Sequence, residues 1–230
     1  MNIKFKVLDK SRDDRYISFP INRVLIVGYA GRDMKKTMEH IRELELELQV
    51  PPPHKIPTIF ECSRENLTQE KTIRFVGRET SGEVEHCIIK HNGEIFIGIG
   101  SDHTDRKLES LSVPKAKQVA PKPIGKHVIP YRLLKDHWDD IELASYQTVA
   151  GEEILYQMGV MKDILPVEFI IKELEERVGD INNCIIFSGT VPLKDGFKYG
   201  TDFRGIIRDK YLECSISVEY HLDIIEEEER

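Results

Sequence analysis

Residues 82–102 decide the fold, and they read GEVEHCIIKHNGEIFIGIGSD. Two apolar segments flank Asn92-Gly93, and this dipeptide is the strongest short-range signal for a β-hairpin, because a type I′ turn needs positive φ at both central residues. A two-residue loop fixes the pairing of the strands. The cross-strand pairs are His91–Glu94, Ile89–Phe96, Cys87–Gly98, Glu85–Gly100 and Glu83–Asp102. The sequence therefore predicts an antiparallel hairpin of known register.

The same register gathers three carboxylates. Side chains alternate along a strand, so Glu83, Glu85 and Asp102 share one patch, and we expect Gly98 and Gly100 to leave open space beside it. Like charges that face each other destabilise a sheet unless something neutralises them. A hard divalent cation is the simplest candidate: Mg²⁺ or Mn²⁺, with Ca²⁺ also possible. The other interpretation is a solvated face whose acids pair with lysine or arginine, and a one-residue slip would remove the patch.

The segment after the hairpin is dense in polar residues at the point where a strand leaves the core, which is a common location for chemistry. Asp105 is a spare candidate ligand. His103 is a candidate ligand or base, or else a surface residue. The sequence predicts that this segment borders the site.

The composition is that of a globular protein. The 230 residues are 40% hydrophobic and 32% charged, and 33 Lys+Arg against 40 Asp+Glu give a formal net charge of −7. The acidic excess argues against nonspecific nucleic-acid binding, which needs a surplus of Lys and Arg. No apolar run approaches the roughly 20 residues of a membrane span, and the N-terminus lacks the apolar stretch of a signal peptide. We predict one domain over 1–230, with a strand segment at 1–22 and an acidic tail at 226–230.

The cysteines give no sign of a disulfide framework or a zinc site. They are scattered and contain no CxxC pair: Cys62, Cys87, Cys184 and Cys214. This spacing favours buried, reduced thiols in a cytoplasmic protein.

Local patterns predict the other elements. The predicted strands are 23–28, 56–62, 72–76, 184–187 and 215–222, with a second hairpin over 141–157 that turns at Ala150-Gly151. One predicted helix starts after Asp33 and stops before Pro51; its apolar face carries Met34, Met38, Ile41, Leu44 and Leu48. Another covers 167–178 and ends at Gly179, and 112–130 is expected to be a linker. The fold class is α+β: a mixed or antiparallel β-sheet roll or barrel with few short helices.

The order of these motifs resembles the fumarylacetoacetate hydrolase superfamily, and it is most similar to a prokaryotic family of uncharacterised proteins distantly related to those enzymes. In the superfamily, a Glu-x-Glu strand and a later Asn-Asp-x-Ser-x-Arg-Asp segment supply the ligands of a divalent metal. Glu83-Val84-Glu85 matches the first motif. Residues 101–106, SDHTDR, resemble the second, with Asp102 at the ligand position and Arg106 at the arginine.

Further similarities follow along the chain. Residues 117–125, KQVAPKPIG, resemble a Gly-Lys-Ser-Phe stretch and make Lys117 the match to the family's lysine. Residues 150–159 place Gln157 at a substrate-facing glutamine, and 185–192, IIFSGTVP, place Thr190 near the substrate. Residues 40–43, HIRE, resemble a His-x-x-Glu dyad on a short lid helix.

The resemblance implies a fumarylacetoacetase C-terminal-domain-like fold and a divalent-metal-dependent hydrolase or lyase. Mg²⁺ or Mn²⁺ on Glu83, Glu85 and Asp102 would bind a 2-oxo or β-diketo acid, and C–C hydrolysis or decarboxylation would proceed through a metal-stabilised enolate. The implied catalytic residues are His40 and Glu43, which activate water, and Lys117; the implied substrate-binding residues are Arg106, Gln157 and Thr190. The implied partners are a small 2-oxo or dicarboxylic acid and, in a homodimer, a second copy of the chain.

The sequence also departs from the superfamily. The Asn92-Gly93 hairpin replaces a helical crossover between the two ligand strands, and Ser101 stands where the motif has asparagine. A non-catalytic domain that binds a metal or small ligand on the same fold is therefore an alternative. A nucleotide-binding α/β protein is another, suggested by the apolar strand that enters residues 28–31, GYAG, although the full glycine fingerprint is missing.

Overall fold

The protein is a β-rich fold with few helices, seen in a computed structural model that describes residues 2–10, 15–48 and 52–229, apart from the side chains of 40, 43, 44, 47 and 48. Its strands are β1 (Asn2–Val7), β2 (Arg15–Pro20), β3 (Val24–Gly28), β4 (Thr58–Cys62), β5 (Leu67–Thr68), β6 (Thr72–Val76), β7 (Thr80–Ser81), β8 (Val84–His91), β9 (Glu94–Ser101), β10 (Thr104–Asp105), β11 (Lys122–Pro123), β12 (His127–Pro130), β13 (Glu142–Val149), β14 (Glu152–Val160), β15 (Ile185–Thr190), β16 (Asp202–Asp209) and β17 (Cys214–Ile225). The helices are α1 (Met34–Leu48), α2 (Arg106–Glu109), α3 (Val113–Val119) and α4 (Val167–Val178), with short 3₁₀ turns at Arg64–Asn66, Tyr131–Leu133, Lys135–Asp140 and Met161–Asp163. None of the helices described is long and apolar enough to cross a membrane.

Two large sheets carry the fold. The first has the strand order β2-β1-β12-β9-β8-β15-β3-β4, and the second has the order β14-β13-β16-β17-β6. One apolar core joins the second sheet and α4 to one face of the first sheet. The other core lies on the opposite face of the first sheet and joins side chains from its two ends, such as Phe19 of β2 and Cys62 of β4. The first sheet therefore curls around a core of its own.

The β8–β9 hairpin forms the middle of the first sheet, in the register that the sequence predicts. His91 pairs with Glu94, Cys87 with Gly98 and Glu85 with Gly100, and the Asp102 amide donates to the Glu83 carbonyl at 2.9 Å. Asn92 and Gly93 have φ values of 49° and 76°, as a type I′ turn requires. Both strands are buried because a core covers each face of the sheet.

Most of the other predicted elements are present. The strand at 72–76, the helix over 167–178 and the hairpin at Ala150-Gly151 are confirmed, and the strand predicted at 23–28 is present as Val24–Gly28. Asp33 accepts hydrogen bonds from the amides of Lys35 and Lys36 at the start of α1, as an N-cap does.

The linker predicted at 112–130 is wrong. This segment contains α3, β11 and β12, and much of it is buried. Pro114 lies in the first turn of α3, where a missing amide costs no helical hydrogen bond. Lys117 and Lys122 are buried rather than solvated. The strand β16 was not predicted at all.

In α1, Ile41 is buried, but Met34 and Met38 are exposed, so that the apolar face is only partly covered. One smaller expectation fails. Gly100 leaves no open space, because a Cβ there would lie 2.6 Å from the Phe187 ring and 2.9 Å from the Pro123 carbonyl oxygen. The nucleotide-binding alternative loses its basis, since β4 returns antiparallel to β3 after α1 and no parallel βαβ unit forms there.

The turn residue Gly93 can be tested by substitution. The Cβ that Gly93→Ala adds has no atom within 4 Å, so the cost comes from the left-handed backbone conformation (φ 76°) alone. We expect the free energy of unfolding, measured by urea denaturation, to fall by about 1–2 kcal/mol. Gly98→Ala is the matched control, because its Cβ meets only ordinary contacts of 3.5 Å or more and the backbone is not left-handed. Equal stability of the Gly93→Ala protein and the wild type would contradict the role of the turn.

Candidate metal centre

Three carboxylates meet where the central hairpin leaves the first sheet. Glu83 immediately precedes β8, Glu85 lies in β8 and Asp102 follows β9. One oxygen from each lies within 4.8 Å of the others. Glu85 and Asp102 are buried, whereas the Glu83 side chain keeps 20% of its exposure. The hairpin register thus brings the predicted residues together and leaves the cluster open on the Glu83 side.

Asp102 lies between two lysines. Lys117 from α3 donates a hydrogen bond to Asp102 Oδ2. Lys122 Nζ lies 2.9 Å from Asp102 Oδ1 and also donates a hydrogen bond to the His103 carbonyl. Burial would raise the pKa of Asp102, but the two lysines outweigh burial and hold that pKa well below its usual value. Asp102 is therefore a buried carboxylate with a lysine ammonium at each of its two oxygens.

Glu85 is held by the backbone. Its Oε2 accepts a hydrogen bond from the Gly189 amide at 2.9 Å. Gly189 has a φ of 104°, and a Cβ there would lie 2.6 Å from the Ala30 Cβ, so only glycine fits. Burial, followed by the charge of Asp102, raises the pKa of Glu85 well above its usual value. A cation between these carboxylates would offset the burial of Glu85 and its repulsion by Asp102.

Arg106 fixes the third carboxylate. Its Nη2 lies 3.5 Å from Glu83 Oε1, its Nε donates to Ser81 Oγ at 2.7 Å, and its Nη1 donates to Glu109 Oε2 at 2.9 Å. The Phe197 ring centroid lies 4.5 Å from the guanidinium carbon. The side chain is only 5% exposed. In this structure the guanidinium is engaged by protein groups and orients Glu83.

Gln157 is engaged in the same way. Its Oε1 accepts from the Val84 amide and from Ser145 Oγ, both at 2.9 Å. Its Nε2 donates to Thr190 Oγ1 and to the Val191 carbonyl, both at 2.8 Å. These four bonds use the full capacity of the amide. Thr190, which is only partly buried, also donates to the Val84 carbonyl at 2.6 Å.

The remaining sequence candidates have other positions. His40 and Glu43 belong to α1, but their side chains lie outside the described part of the structure. Asp105 caps α2 by accepting from the Leu108 amide at 2.8 Å, so it is not a further ligand. His103 is neither a surface residue nor a member of the carboxylate cluster: it is buried, stacks on Phe75 at 4.1 Å and bonds Tyr220 Oη at 2.7 Å through Nδ1.

Sequence reasoning missed several residues that shape the centre. They are Lys122, Ser81, Glu109 and Gly189. Lys122 lies between two prolines, a context that predicts an exposed turn, and its burial depends on Asp102 twenty residues upstream. Gly189 could have been suspected, because a glycine before Thr190 permits positive φ at the end of a strand.

A concavity of about 320 Å³ lies elsewhere, on the second sheet. Its charges pair with each other: Arg204 with Glu153 at 2.7 Å and His221 with Asp202 at 2.8 Å. The carboxylate cluster, in which the charge of Asp102 acts on the buried Glu85, is the better candidate for a functional site.

The sequence matches the profile of one protein family, described as "Protein of unknown function (DUF2848)", over residues 27–220. The chain belongs to this family. The matched region includes all three carboxylates and both lysines. No curated protein matches the chain.

Solved structures share its fold. A structure of Cg1458 is 15% identical, with a TM-score of 0.66, and the match covers 97% of this chain and 89% of the other. A 2-keto-3-deoxyarabinonate dehydratase is 17% identical, with a TM-score of 0.66, over 93% of this chain and 78% of the other. The same kind of dehydratase complexed with magnesium and 2,5-dioxopentanoate is 17% identical, with a TM-score of 0.60, over 89% and 74%. At these identities the likeness concerns the fold.

Asp102 is the residue on which the buried charges depend. Asp102→Asn would leave Lys117 and Lys122 without their counter-charge, and we expect the free energy of unfolding to fall by about 3 kcal/mol. Urea denaturation measures the change. Glu79→Gln, at an exposed carboxylate near the site, is the control and should change stability by less than about 0.5 kcal/mol. A loss equal to that of the control would contradict the pairing.

Proposed function

We propose that this protein is a divalent-metal-dependent enzyme that acts on a 2-oxo or β-diketo acid by C–C bond hydrolysis or decarboxylation, on a fold of the fumarylacetoacetase type. The observation that carries the proposal is the cluster of Glu83, Glu85 and Asp102, whose three carboxylates place an oxygen each within 4.8 Å of the others, two of them on buried side chains. Hard carboxylate oxygens are the ligands that Mg²⁺ and Mn²⁺ prefer. The magnesium and the oxo acid in the dehydratase complex of similar fold support this choice.

Each residue near the cluster has a chemical task in this proposal. When bound, Mg²⁺ or Mn²⁺ would supply Lewis-acid activation of the oxo group. Lys117 lies beside Asp102, and although burial lowers its pKa, the charges of Asp102 and Glu83 outweigh that effect and raise it. It is therefore a fixed cation, suited to binding the acid group and to stabilising negative charge that develops on the substrate. Thr190 is the proposed hydroxyl contact with the substrate.

Other residues position these groups. Gln157 orients Thr190, Arg106 orients Glu83, and Lys122 holds the buried side of Asp102. His40 and Glu43 are the proposed general base for C–C hydrolysis, which requires an activated water molecule; decarboxylation does not require one. A homodimer is also part of the proposal.

Calorimetry with Mn²⁺ and oxalate tests the site. We expect the wild type to bind Mn²⁺, and oxalate only when Mn²⁺ is present. Glu83→Gln/Glu85→Gln, which keeps the shape and loses the charge, should weaken Mn²⁺ binding at least about 100-fold, since ligand charge count sets the affinity of such sites. Glu79→Gln is the control and should bind as the wild type does.

Turnover assays separate the reaction types. Loss of CO₂ from a 2-oxo dicarboxylic acid reports decarboxylation, and cleavage of a 2,4-dioxo acid reports C–C hydrolysis. Mn²⁺ binding by the double variant equal to that of the wild type would overturn the metal site. Mn²⁺ and oxalate binding without turnover of either acid would instead favour a non-catalytic ligand-binding domain.

A further inference from the structure

Three aromatic rings stand around the carboxylate cluster, and neither the metal nor the acid group of a substrate accounts for them. They are Tyr29, Phe60 and Phe197, and each is only partly buried. They come from three separate segments: the residue after β3, the middle of β4 and the loop between β15 and β16. Phe60 and Phe197 lie against basic side chains that hold the carboxylates, and Tyr29 follows Gly28, on which the Phe60 ring packs.

Phe197 packs on the arginine that contacts Glu83. Its ring centroid lies 4.5 Å from the guanidinium carbon of Arg106, and Arg106 Nη2 lies 3.5 Å from Glu83 Oε1. Arg106 is held by Ser81 and Glu109, so the ring rests on a fixed cation. The ring is therefore a neighbour of the partly exposed Glu83 carboxylate.

Phe60 stands on the Lys117 side. Its centroid lies 5.8 Å from Lys117 Nζ. The ring packs over Gly28, where an added Cβ would lie 3.1 Å from Phe60 Cε2. The glycine thus gives the ring its place next to the lysine that is proposed to bind the acid group.

Tyr29 is the third of these rings. It follows Gly28 and has a φ of 55°, which is uncommon for a residue other than glycine and recurs at functional sites. Burial, then the charges of Glu109 and Glu83, raises the pKa of its hydroxyl, and Lys117 lowers it. Tyr29 is therefore placed by its position next to Gly28, the glycine at which an added Cβ would lie 3.1 Å from a Phe60 ring atom.

We infer that Tyr29, Phe60 and Phe197 form an apolar wall that selects 2-oxo or β-diketo acids with an apolar, unsaturated or aromatic end over polyhydroxylated sugar acids. Two of the rings carry no hydrogen-bonding group, so a polyol placed against them would lose hydrogen bonds to water without replacement. An apolar end would instead remove its surface from water there. This inference rests on the proposed function and adds the class of substrate to it.

Competition calorimetry on the full chain loaded with Mn²⁺ tests the wall with three probes. Oxalate has the chelating oxygens and no tail, phenylpyruvate has an aromatic tail, and 2-keto-3-deoxyarabinonate has a polyol tail. We expect phenylpyruvate to bind about tenfold or more tightly than the sugar acid, within the range that apolar pockets achieve. Phe60→Ala and Phe197→Ala should each reduce this preference at least about fivefold and leave the oxalate affinity within about twofold.

The control is Phe169→Ala, at an exposed ring on α4, which should leave all three affinities unchanged. The inferred apolar wall would be wrong if the sugar acid bound as tightly as phenylpyruvate or more tightly, or if both substitutions left the preference unchanged. If oxalate still bound in these experiments, the proposed metal site would stand. Failure of oxalate to bind with Mn²⁺ would overturn the proposed function and this inference together. Unchanged circular dichroism and melting temperature show that each variant is folded.

Discussion

The structure depends on two consecutive residues in the left-handed conformation. Asn92 and Gly93 close a two-residue turn, and the period of two along each strand then decides which face every side chain of β8 and β9 occupies. Because this hairpin lies in the middle of the first sheet, its register also fixes which residues meet the two cores. A slip of one residue would place Glu85 in the wrong core and separate it from Asp102. The site is thus a consequence of the turn.

The carboxylates persist in the interior because of what surrounds them. Three acids are matched by three basic side chains, two at Asp102 and one at Glu83, while the Gly189 amide bonds Glu85. Buried charges are tolerated only when they are paired and hydrogen-bonded. This arrangement lets the chain fold with the cluster assembled, and the repulsion between Glu85 and Asp102 is what a bound cation would relieve.

Local signals in the sequence were enough for the hairpin, for α4 and for the turn at Ala150-Gly151, because capping and turn chemistry act over a few residues. These local signals failed where residues that are distant in the sequence determine whether a side chain is buried. The segment that contains Lys117 and Lys122 has the composition of a linker. Both lysines are buried because each forms an ion pair with the buried Asp102.

The same reason applies to the surroundings of two candidate residues. The motif resemblance identified Arg106 and Gln157, but apart from Glu109, in the helix of Arg106 itself, their hydrogen-bonding partners come from four other segments and are not readable from the motif. The alternation in β16, where residues 203, 205, 207 and 209 are buried, was present in the sequence and could have been found.

Gln157 has a consequence for the dynamics of the protein. Its four hydrogen bonds join Val84 of the first sheet, Ser145 of the second sheet and the Thr190–Val191 turn. The sheets cannot separate locally without breaking bonds beside the carboxylates, so the site and the packing of the two sheets form one cooperative unit. We therefore expect slow hydrogen exchange at the Val84 amide, which donates to Gln157 Oε1 beside the carboxylates.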